Sequence, residues 1–526
     1  MTGTESTQWE KALALQDHGQ ALAAVKELRE LGRRLVRQRQ DLAGILETAR
    51  QLFGLYDHGT ALNLLDASVR LAGKQPALLV RLTMLLMTEG RYAEAARFAR
   101  EALVQGKSES IVDVDARLLL AECQERTGHS DEAASLTEEI LKTHSASIPA
   151  HRLKAVLLRR QGKPQAALEV LRDLLKKGGP PHWETCRAWF ELGQVQDQLG
   201  DYAAAWQSWI TARQFHEASI DWNVRRSQAK HVWNHVRSLH RSLDGDHLAR
   251  WCSRDQEDGN PASGPRLAVL TGHPRSGTTL LEQALDAHSG IVSMEETTLF
   301  TSNVYRPLFQ HGPQGTTPAQ RLDAMPERER QHWRRQYRGL SRLVLGQESG
   351  SRLVLDKNPD LLQLLPAWVR IFPEARVIVM LRDPRDLLVS MFSQALPPNH
   401  TAWSYRTPEA AAEMVSLRLG LWHHLRRSLP AHAFHEVRYE RLVADFAGET
   451  GKVLGCLGFT PEPATLRPEV HSRQKTVRSP TYAAVQSPVH SRAVARWRNY
   501  SRWLAPLMKT LRPAIRGLGY GEAEME

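Results

Sequence analysis

A short phrase built around a glycine recurs through the first half of the chain. It appears as GRYAEAA (90–96), GHSDEAA (128–134), GKPQAAL (162–168) and GDYAAAW (200–206), after a looser copy, YDHGTALNLL (56–65). The spacings between the alanines in register are 34, 38, 34 and 38 residues, for Ala61, Ala95, Ala133, Ala167 and Ala205. A basic period of 34 within helix-period sequence predicts antiparallel helix pairs, which bury their apolar faces only by stacking on one another.

This repeat resembles the tetratricopeptide pattern. It predicts an N-terminal all-α solenoid over residues 1–252, with each glycine at the end of a first helix, where a left-handed C-cap suits glycine. The small alanine lets the paired helices approach closely. Such arrays present a concave surface, so we expect a peptide or protein partner. A scaffold that packs only on the second half of its own chain is the alternative.

The second half of the chain has the pattern of an α/β domain. A polar stretch rich in glycine and proline, SRDQEDGNPASGP (253–265), predicts a linker. Beyond it, short apolar runs alternate with helix-period segments. The predicted strands are 267–270, 352–355, 376–381 and 434–439, and the helical segments are 360–372, 385–395 and 408–428. This alternation predicts a three-layer α/β domain with a parallel sheet over 266–526, and hence an α + α/β chain.

The loop after the first predicted strand, GHPRSGTT (272–279), has the layout of a phosphate cradle. It lies between a strand and a helix, so its backbone N–H groups and the helix N-terminus both favour an anion. The nucleotide-triphosphate loop GxxxxGK[ST] is not matched, because Thr278 stands where that motif needs lysine. The dinucleotide motif GxGxxG is also absent. The loop therefore predicts a P-loop-like phosphate site of a different kind.

The net charge of the chain and its few cysteines indicate which ligands it binds and which cellular compartment it occupies. The chain of 526 residues has a net charge of +11, which suits an anionic cofactor. No basic run with interleaved aromatics is long enough to favour nucleic acid. The four cysteines are widely spaced, as is typical of a reducing compartment. No signal peptide or membrane-spanning apolar run is evident. We therefore expect a cytoplasmic protein that binds neither nucleic acid nor membrane.

Several separated motifs resemble those of sulfotransferases, most closely the tyrosylprotein sulfotransferases. In chain order they are PRSGTTLLEQALDAHSGIVSMEET (274–297), LVLDKNP (353–359), VIVMLRDPRDLLVSMF (377–392) and VHSRAVARWRNY (489–500). The resemblance covers roughly residues 265 to 510 and implies an enzyme that transfers a sulfuryl group from 3'-phosphoadenosine-5'-phosphosulfate to a hydroxyl. The acceptor, a protein tyrosine, a carbohydrate or a small molecule, stays open. With the repeats, the chain resembles a tetratricopeptide-repeat-containing sulfotransferase.

The same resemblance implies which residues bind the donor. For the 5'-phosphosulfate they are Arg275, Ser276, Gly277, Thr278 and Thr279. For the 3'-phosphate they are Arg382 and Ser390, and further contacts are expected from Tyr439 and Arg496. No metal is required, because arginine and lysine neutralise the phosphates.

The resemblance also implies the catalytic groups. Glu296 matches the general base, which takes the acceptor proton as the hydroxyl attacks sulfur. Glu295 is the alternative base. Lys357 matches the lysine that stabilises charge on the bridging oxygen, and Arg275 serves catalysis as well as binding.

Three positions leave the assignment open. Thr481 falls where the family places a serine that aids catalysis, and Ser479 is its alternative. Gln394 stands where the tyrosylprotein enzymes place another arginine, so donor binding is weakened or a different arginine substitutes.

The family's membrane anchor is not found. A non-catalytic repeat adaptor and a P-loop-like nucleotide kinase are the rival functions.

Overall fold

Helices make up most of the molecule. The computed structural model describes residues 3–39, 41–105, 110–176, 178, 182–253, 266–310, 315–346, 350–474 and 485–521. The helices before the first strand are α1 (Gly3–Asp17), α2 (Ala21–Gln38), α3 (Leu42–Gly54), α4 (His58–Ala72), α5 (Pro76–Thr88), α6 (Tyr92–Gln105), α7 (Ile111–Arg126), α8 (Ser130–Thr143), α9 (Ile148–Arg160), α10 (Pro164–Lys176), α11 (Trp183–Gln198), α12 (Tyr202–Ala218), α13 (Asn223–Ser242) and α14 (Gly245–Ser253).

Strands and helices alternate in the second half. The strands are β1 (Leu267–Gly272), β2 (Ile291–Ser293), β3 (Leu353–Lys357), β4 (Arg376–Leu381) and β5 (Phe434–Arg438). The helices are α15 (Thr278–Asp286), α16 (Arg306–Gln310), α17 (Pro318–Asp323), α18 (Glu327–Leu345), α19 (Leu365–Ile371), α20 (Pro384–Phe392), α21 (His400–Ser404), α22 (Pro408–Leu425), α23 (Tyr439–Ala444), α24 (Phe446–Leu457), α25 (Pro468–Gln474), α26 (Ser501–Leu504) and α27 (Met508–Gly517). Short helices of other types are the π-helical Thr301–Tyr305 and the 3₁₀-helical Pro359–Leu364, Pro463–Leu466, Arg496–Tyr500 and Ala505–Leu507.

The described strands form one parallel sheet in the order β2-β3-β1-β4-β5. The residues of β1, β2 and β3 are all buried, as expected for a sheet covered on both faces. The predicted parallel α/β fold is therefore confirmed. The chain steps from β1 outward to β2, returns through β3, and then continues on the other side of β1 with β4. Ligands in such sheets bind beyond the carboxyl ends of the strands, where the order reverses.

The repeat pattern is also confirmed in the geometry of the helices. The glycine that begins each of the four repeated segments lies two residues after the end of a helix and has a positive φ. The values are 69° for Gly90, 87° for Gly128, 76° for Gly162 and 83° for Gly200. The five alanines in register are completely buried. Because an alanine side chain is small, the second helix of each pair can lie close to the first.

The molecule comprises two compact units, each built from both halves of the chain. The first contains residues 1–74, 237–382 and 421–491, and the second contains 75–236, 383–420 and 492–526. The whole sheet lies in the first unit together with α1–α4, and most of the repeats lie in the second. The linker predicted at 253–265 falls almost entirely on residues 254–265, which are outside the described residues.

Within the first unit, the N-terminal helices pack on α18. The Leu22 N–H donates to Gln336 Oε1 at 3.0 Å, and His332 Nε2 lies 3.0 Å from the Gly19 carbonyl oxygen. Gly19 has no room for a side chain, because a Cβ there would lie 2.3 Å from the Trp333 ring. Residues 1–74 therefore form part of the unit that carries the sheet. None of the described helices is both long enough and apolar enough to cross a lipid bilayer.

Candidate active site

The loop between β1 and α15 brings the predicted phosphate-binding residues together. Gly277 precedes the first turn of α15 with φ 99°, and Arg275 also has a left-handed backbone, with φ 74°. A non-glycine residue in this region costs roughly 1–3 kcal/mol and clusters at ligand clamps. A Cβ at Gly277 would lie 2.6 Å from the Tyr439 ring, so only glycine fits between this ring and the loop.

The loop offers donors that suit a phosphate. The Ser276 side chain is buried, and its Oγ has no hydrogen-bond partner within the described part of the chain. The first N–H groups of α15 have no partner inside the helix, which is general for helix N-termini. Thr278 and Thr279 lie in that first turn. An orphaned hydroxyl beside a helix N-terminus is what a bound anion would satisfy, so these residues fit the 5'-phosphosulfate.

Arg382 follows the carboxyl end of β4 and holds this loop from one side. Its Nη1 donates to the Arg275 carbonyl oxygen at 2.9 Å, and its guanidinium lies 4.8 Å from the centre of the Tyr439 ring. Three residues that are far apart in sequence, Arg275, Arg382 and Tyr439, thus meet at the ends of β1, β4 and β5. One nucleotide could contact all three from such a position, and their roles in binding it stay predictions.

Lys357, the last residue of β3, lies at the centre of a buried charge cluster. Its side chain is only 1% exposed. Its Nζ lies 2.7 Å from Glu296 Oε1, 3.0 Å from Glu282 Oε2 and 3.4 Å from Thr279 Oγ1. The lysine therefore connects the phosphate loop with the predicted base. Glu282, which the sequence analysis missed, is equally buried and also accepts a hydrogen bond from Ser293 Oγ at 2.6 Å.

Burial and neighbouring charges act in opposite directions on this cluster. Burial by itself lowers the pKa of Lys357, but the carboxylates of Glu282 and Glu296 outweigh it and the pKa is raised. Burial raises the pKa of Glu282, assisted by the charge of Glu295 and opposed by Lys357. Lys357 is therefore held as a cation. A fixed cation in a water-poor site stabilises negative charge far more than one in solution.

The turn that carries Glu295 and Glu296 follows β2. Glu295 is buried with φ 56°, whereas the Glu296 side chain is 31% exposed and contacts Lys357. The Asn358 side-chain amide donates to the Thr297 carbonyl oxygen at 2.6 Å and so fixes the turn against the end of β3. The position of Glu296, in contact with both Lys357 and solvent, suits a base that meets an incoming hydroxyl.

Ser390 and Arg496 belong to the second unit. Ser390 is a buried residue of α20. Arg496 pairs with Asp197 of α11 at 3.0 Å. The turn that carries Arg496 is held by Asp386, whose carboxylate accepts from the N–H groups of Ala495 and Trp497, both at 2.8 Å. The donor-binding roles of Ser390 and Arg496 stay predictions.

The start and the end of α20 also lie in the second unit. Asp383 caps its N-terminus and pairs with Arg385 at 2.6 Å, so these two residues act as a local ion pair. At its other end the Nη2 of Arg213, a buried residue of α12, donates to the Gln394 carbonyl oxygen at 2.9 Å. Burial lowers the pKa of Arg213 to about 10. An arginine of the repeat array thus lies beside the position where the resemblance expected one.

Thr481 and its alternative Ser479 lie outside the described residues, so their proposed role stays a prediction. Within the described ranges, no group of three or more histidine, cysteine, aspartate or glutamate side chains is placed to hold a metal ion.

Asp356, which precedes Lys357 in β3, is a buried carboxyl group whose titration should affect the stability of the protein. Tyr337 Oη donates to its Oδ2 at 2.7 Å, and burial raises the pKa of Asp356 to about 7, above the value of about 3.9 in an unfolded chain. A raised folded-state pKa contributes stability below pH 4 that is lost as pH rises through 7. The melting temperature of Asp356→Asn should therefore rise relative to that of wild type as the pH increases from about 4 to about 7, and the gain should persist above pH 7. Equal melting-temperature profiles would contradict this.

Comparisons with known proteins agree with this architecture. Residues 268–463 match the model of the sulfotransferase family, and residues 86–157 and 152–214 match two models of the tetratricopeptide repeat. The chain therefore contains a sulfotransferase domain with a parallel sheet, preceded by tetratricopeptide repeats. The matched range includes Arg275, Glu296, Lys357, Arg382 and Tyr439.

Individual relatives are distant. The chain is 22% identical over 445 residues to an uncharacterized protein of Aquifex aeolicus (strain VF5), which covers 84% of this chain and 55% of that protein. It is 29% identical over 128 residues to protein-tyrosine sulfotransferase 1 of Danio rerio, and the match covers 24% of this chain and 36% of that protein. The sulfotransferase domain of the Synechococcus PCC 7002 olefin synthase is 19% identical with a TM-score of 0.36, and covers 50% of this chain and 98% of that domain. The chain spans about half the length, or less, of these curated relatives.

Proposed function

We propose that this protein transfers a sulfuryl group from 3'-phosphoadenosine-5'-phosphosulfate to an acceptor hydroxyl. The observation that carries the proposal is the cluster around Lys357. Thr279 of the phosphate loop and Glu296 of the turn after β2 both lie within 3.4 Å of its Nζ. A phosphate cradle, a fixed cation and a carboxylate that is partly accessible to solvent are the groups that this transfer needs.

In this proposal, some residues bind the donor and others take part in the transfer step. The loop from Arg275 to Thr279 holds the phosphosulfate, and Arg382 and Tyr439 hold the nucleotide beside it. When bound, the donor supplies the sulfuryl group. Glu296 takes the proton of the acceptor hydroxyl as its oxygen forms a bond to sulfur. The bond between sulfur and the bridging phosphate oxygen breaks, and Lys357 donates a hydrogen bond to that oxygen as 3'-phosphoadenosine-5'-phosphate leaves.

We place protein tyrosine first among the acceptors. The PRSGTTL loop with its downstream acidic pair resembles that of the tyrosylprotein sulfotransferases, and the match to protein-tyrosine sulfotransferase 1 of Danio rerio supports this choice. A tyrosine hydroxyl has a pKa of about 10 and is a weak nucleophile at neutral pH, so a base such as Glu296 would assist it. The repeat array would then recruit the acceptor protein or another peptide partner.

Titration calorimetry with 3'-phosphoadenosine-5'-phosphate tests the donor site. We expect metal-independent binding, weakened roughly ten- to hundred-fold in Arg275→Ala and Arg382→Ala, because each removes charged hydrogen bonds to phosphate. Arg376→Ala is the matched control, since Arg376 lies at the opposite, amino end of β4 from Arg382. Its affinity should stay at the wild-type value.

Two outcomes would contradict the donor assignment. Binding of ATP with magnesium, but not of 3'-phosphoadenosine-5'-phosphate, would favour a nucleotide kinase. Binding of neither nucleotide would favour a non-catalytic repeat adaptor. Transfer of radiolabelled sulfate to a tyrosyl peptide, a simple phenol or a hydroxylated sugar then identifies the acceptor class.

A further inference from the structure

We propose that Tyr56, from the N-terminal helices, is a positioning residue for the turn that carries Glu296. The proposal rests on the function proposed above for Glu296. Tyr56 lies between α3 and α4, and its hydroxyl reaches Thr298, two residues after the base. The Thr298 N–H donates to Tyr56 Oη at 2.6 Å, and the Thr298 hydroxyl is 3.1 Å from the same oxygen. Both residues lie in the first unit.

The turn after β2 is held at two neighbouring points. On one side, the Asn358 side chain donates to the Thr297 carbonyl oxygen at 2.6 Å. On the other, the Tyr56 hydroxyl binds the Thr298 amide. Asn358 directly follows Lys357, so the first contact relates the turn to the sheet. The second contact relates it to α3 and α4. The Thr297 carbonyl and the Thr298 N–H belong to one peptide group, so the two contacts hold the same group from both sides. Its fixed position, one residue after Glu296, restricts where the Glu296 carboxylate can lie.

The backbone at Tyr56 indicates that its side chain is what this position requires. Its φ is 64°, a left-handed conformation that glycine adopts without strain and that costs other residues roughly 1–2 kcal/mol. Hydrogen bonds from the Tyr56 N–H to the Phe53 carbonyl and from the Asp57 N–H to the Leu52 carbonyl, both at 2.9 Å, hold the turn. A glycine would relieve the strain but would offer no hydroxyl to Thr298.

The surrounding helices make this contact rigid. Tyr56 is buried, with 7% of its surface exposed. Asp57 caps α4 and pairs with Arg29 of α2 at 2.6 Å. Because α2 in turn contacts α18 through Leu22, the tyrosine is held by helices of the unit that carries the sheet. The N-terminal helices thus have a place in the chemistry besides any role in binding partners.

Tyr56→Phe tests the inference, because it removes one oxygen and leaves the ring. Hydrogen exchange at the 295–298 turn should rise, with exchange in β1 and α15 unchanged. Turnover of the acceptor should fall roughly three- to thirty-fold, because a displaced base loses alignment. The affinity for 3'-phosphoadenosine-5'-phosphate should not change. Tyr92→Phe is the matched control, since Tyr92 belongs to the repeats of the second unit.

A double variant separates positioning from a general structural effect. If Tyr56 acts through Glu296, Tyr56→Phe should cost nothing further in a Glu296→Gln background, whereas a general loss of stability would lower turnover in both backgrounds. Unchanged exchange at the turn together with wild-type turnover would overturn the inference. Raised exchange in a protein that transfers no sulfuryl group would retain the positioning role and overturn the proposed function instead.

Discussion

Replacing Lys357 with methionine is expected to reduce sulfuryl transfer by roughly 10²–10³-fold, the usual loss when one preorganised donor to developing charge is removed. The Lys357 side chain is almost completely buried and lies between Thr279 of the phosphate loop and Glu296. Methionine fills a similar space without charge, so donor binding through Arg275 and Arg382 should remain. The measurement is the turnover number, compared with the affinity for 3'-phosphoadenosine-5'-phosphate.

The same variant leaves Glu282 buried without its cation. Removing one partner of a buried ion pair typically costs about 3–5 kcal/mol, although a carboxyl with a raised pKa limits the cost by taking up a proton. The double variant Lys357→Met/Glu282→Gln should therefore recover most of the lost thermal stability and none of the activity. Recovery of activity in the double variant would show that the single variant failed through instability and that Lys357 has no direct role.

Local signals in the sequence predicted much of the fold. The glycine of each repeat marks a left-handed turn, and β1, β3 and β4 contain short runs of buried apolar residues bounded by loops. β2 was missed, because three residues between a turn and two glutamates are too short to show a periodic pattern. The interleaving of the two units was also not predicted, since a contact between distant segments leaves no local signature.

The residues of the candidate site also fall into those that the sequence predicted and those that only the folded structure reveals. Arg275 and Lys357 were predicted because each lies in a motif at the end of a predicted strand, and parallel strands bring such ends to one edge. Glu296 was predicted only from the resemblance of its motif, because the strand before it was missed. Glu282 was missed because it reads as an ordinary polar residue of α15. Its place in the charge cluster depends on contact with Lys357, the last residue of β3, which is distant in the sequence. Tyr56 was missed because its partner, Thr298, is 242 residues away, and only the folded structure joins them.

Glu296→Gln is expected to reduce transfer to a tyrosine acceptor by roughly 10²–10⁴-fold, the range in which a positioned general base contributes. Glutamine keeps the size and can still contact Lys357, but it cannot accept the hydroxyl proton. The affinity for 3'-phosphoadenosine-5'-phosphate should be unaffected. Glu295→Gln is the matched control, because the adjacent Glu295 is buried with φ 56° and its loss should leave transfer nearly unchanged.

The acceptor's own acidity makes this prediction sharper. A phenol that is already ionised at the assay pH needs no base, so the deficit of Glu296→Gln should shrink steadily as the pKa of a series of phenol acceptors falls. An equal deficit across the series would mean that Glu296 serves to hold Lys357 or the turn rather than to take a proton. If Glu295→Gln lost more sulfuryl-transfer activity than Glu296→Gln, Glu295 would be the general base instead. Its carboxyl would then have to leave its buried position to reach the acceptor.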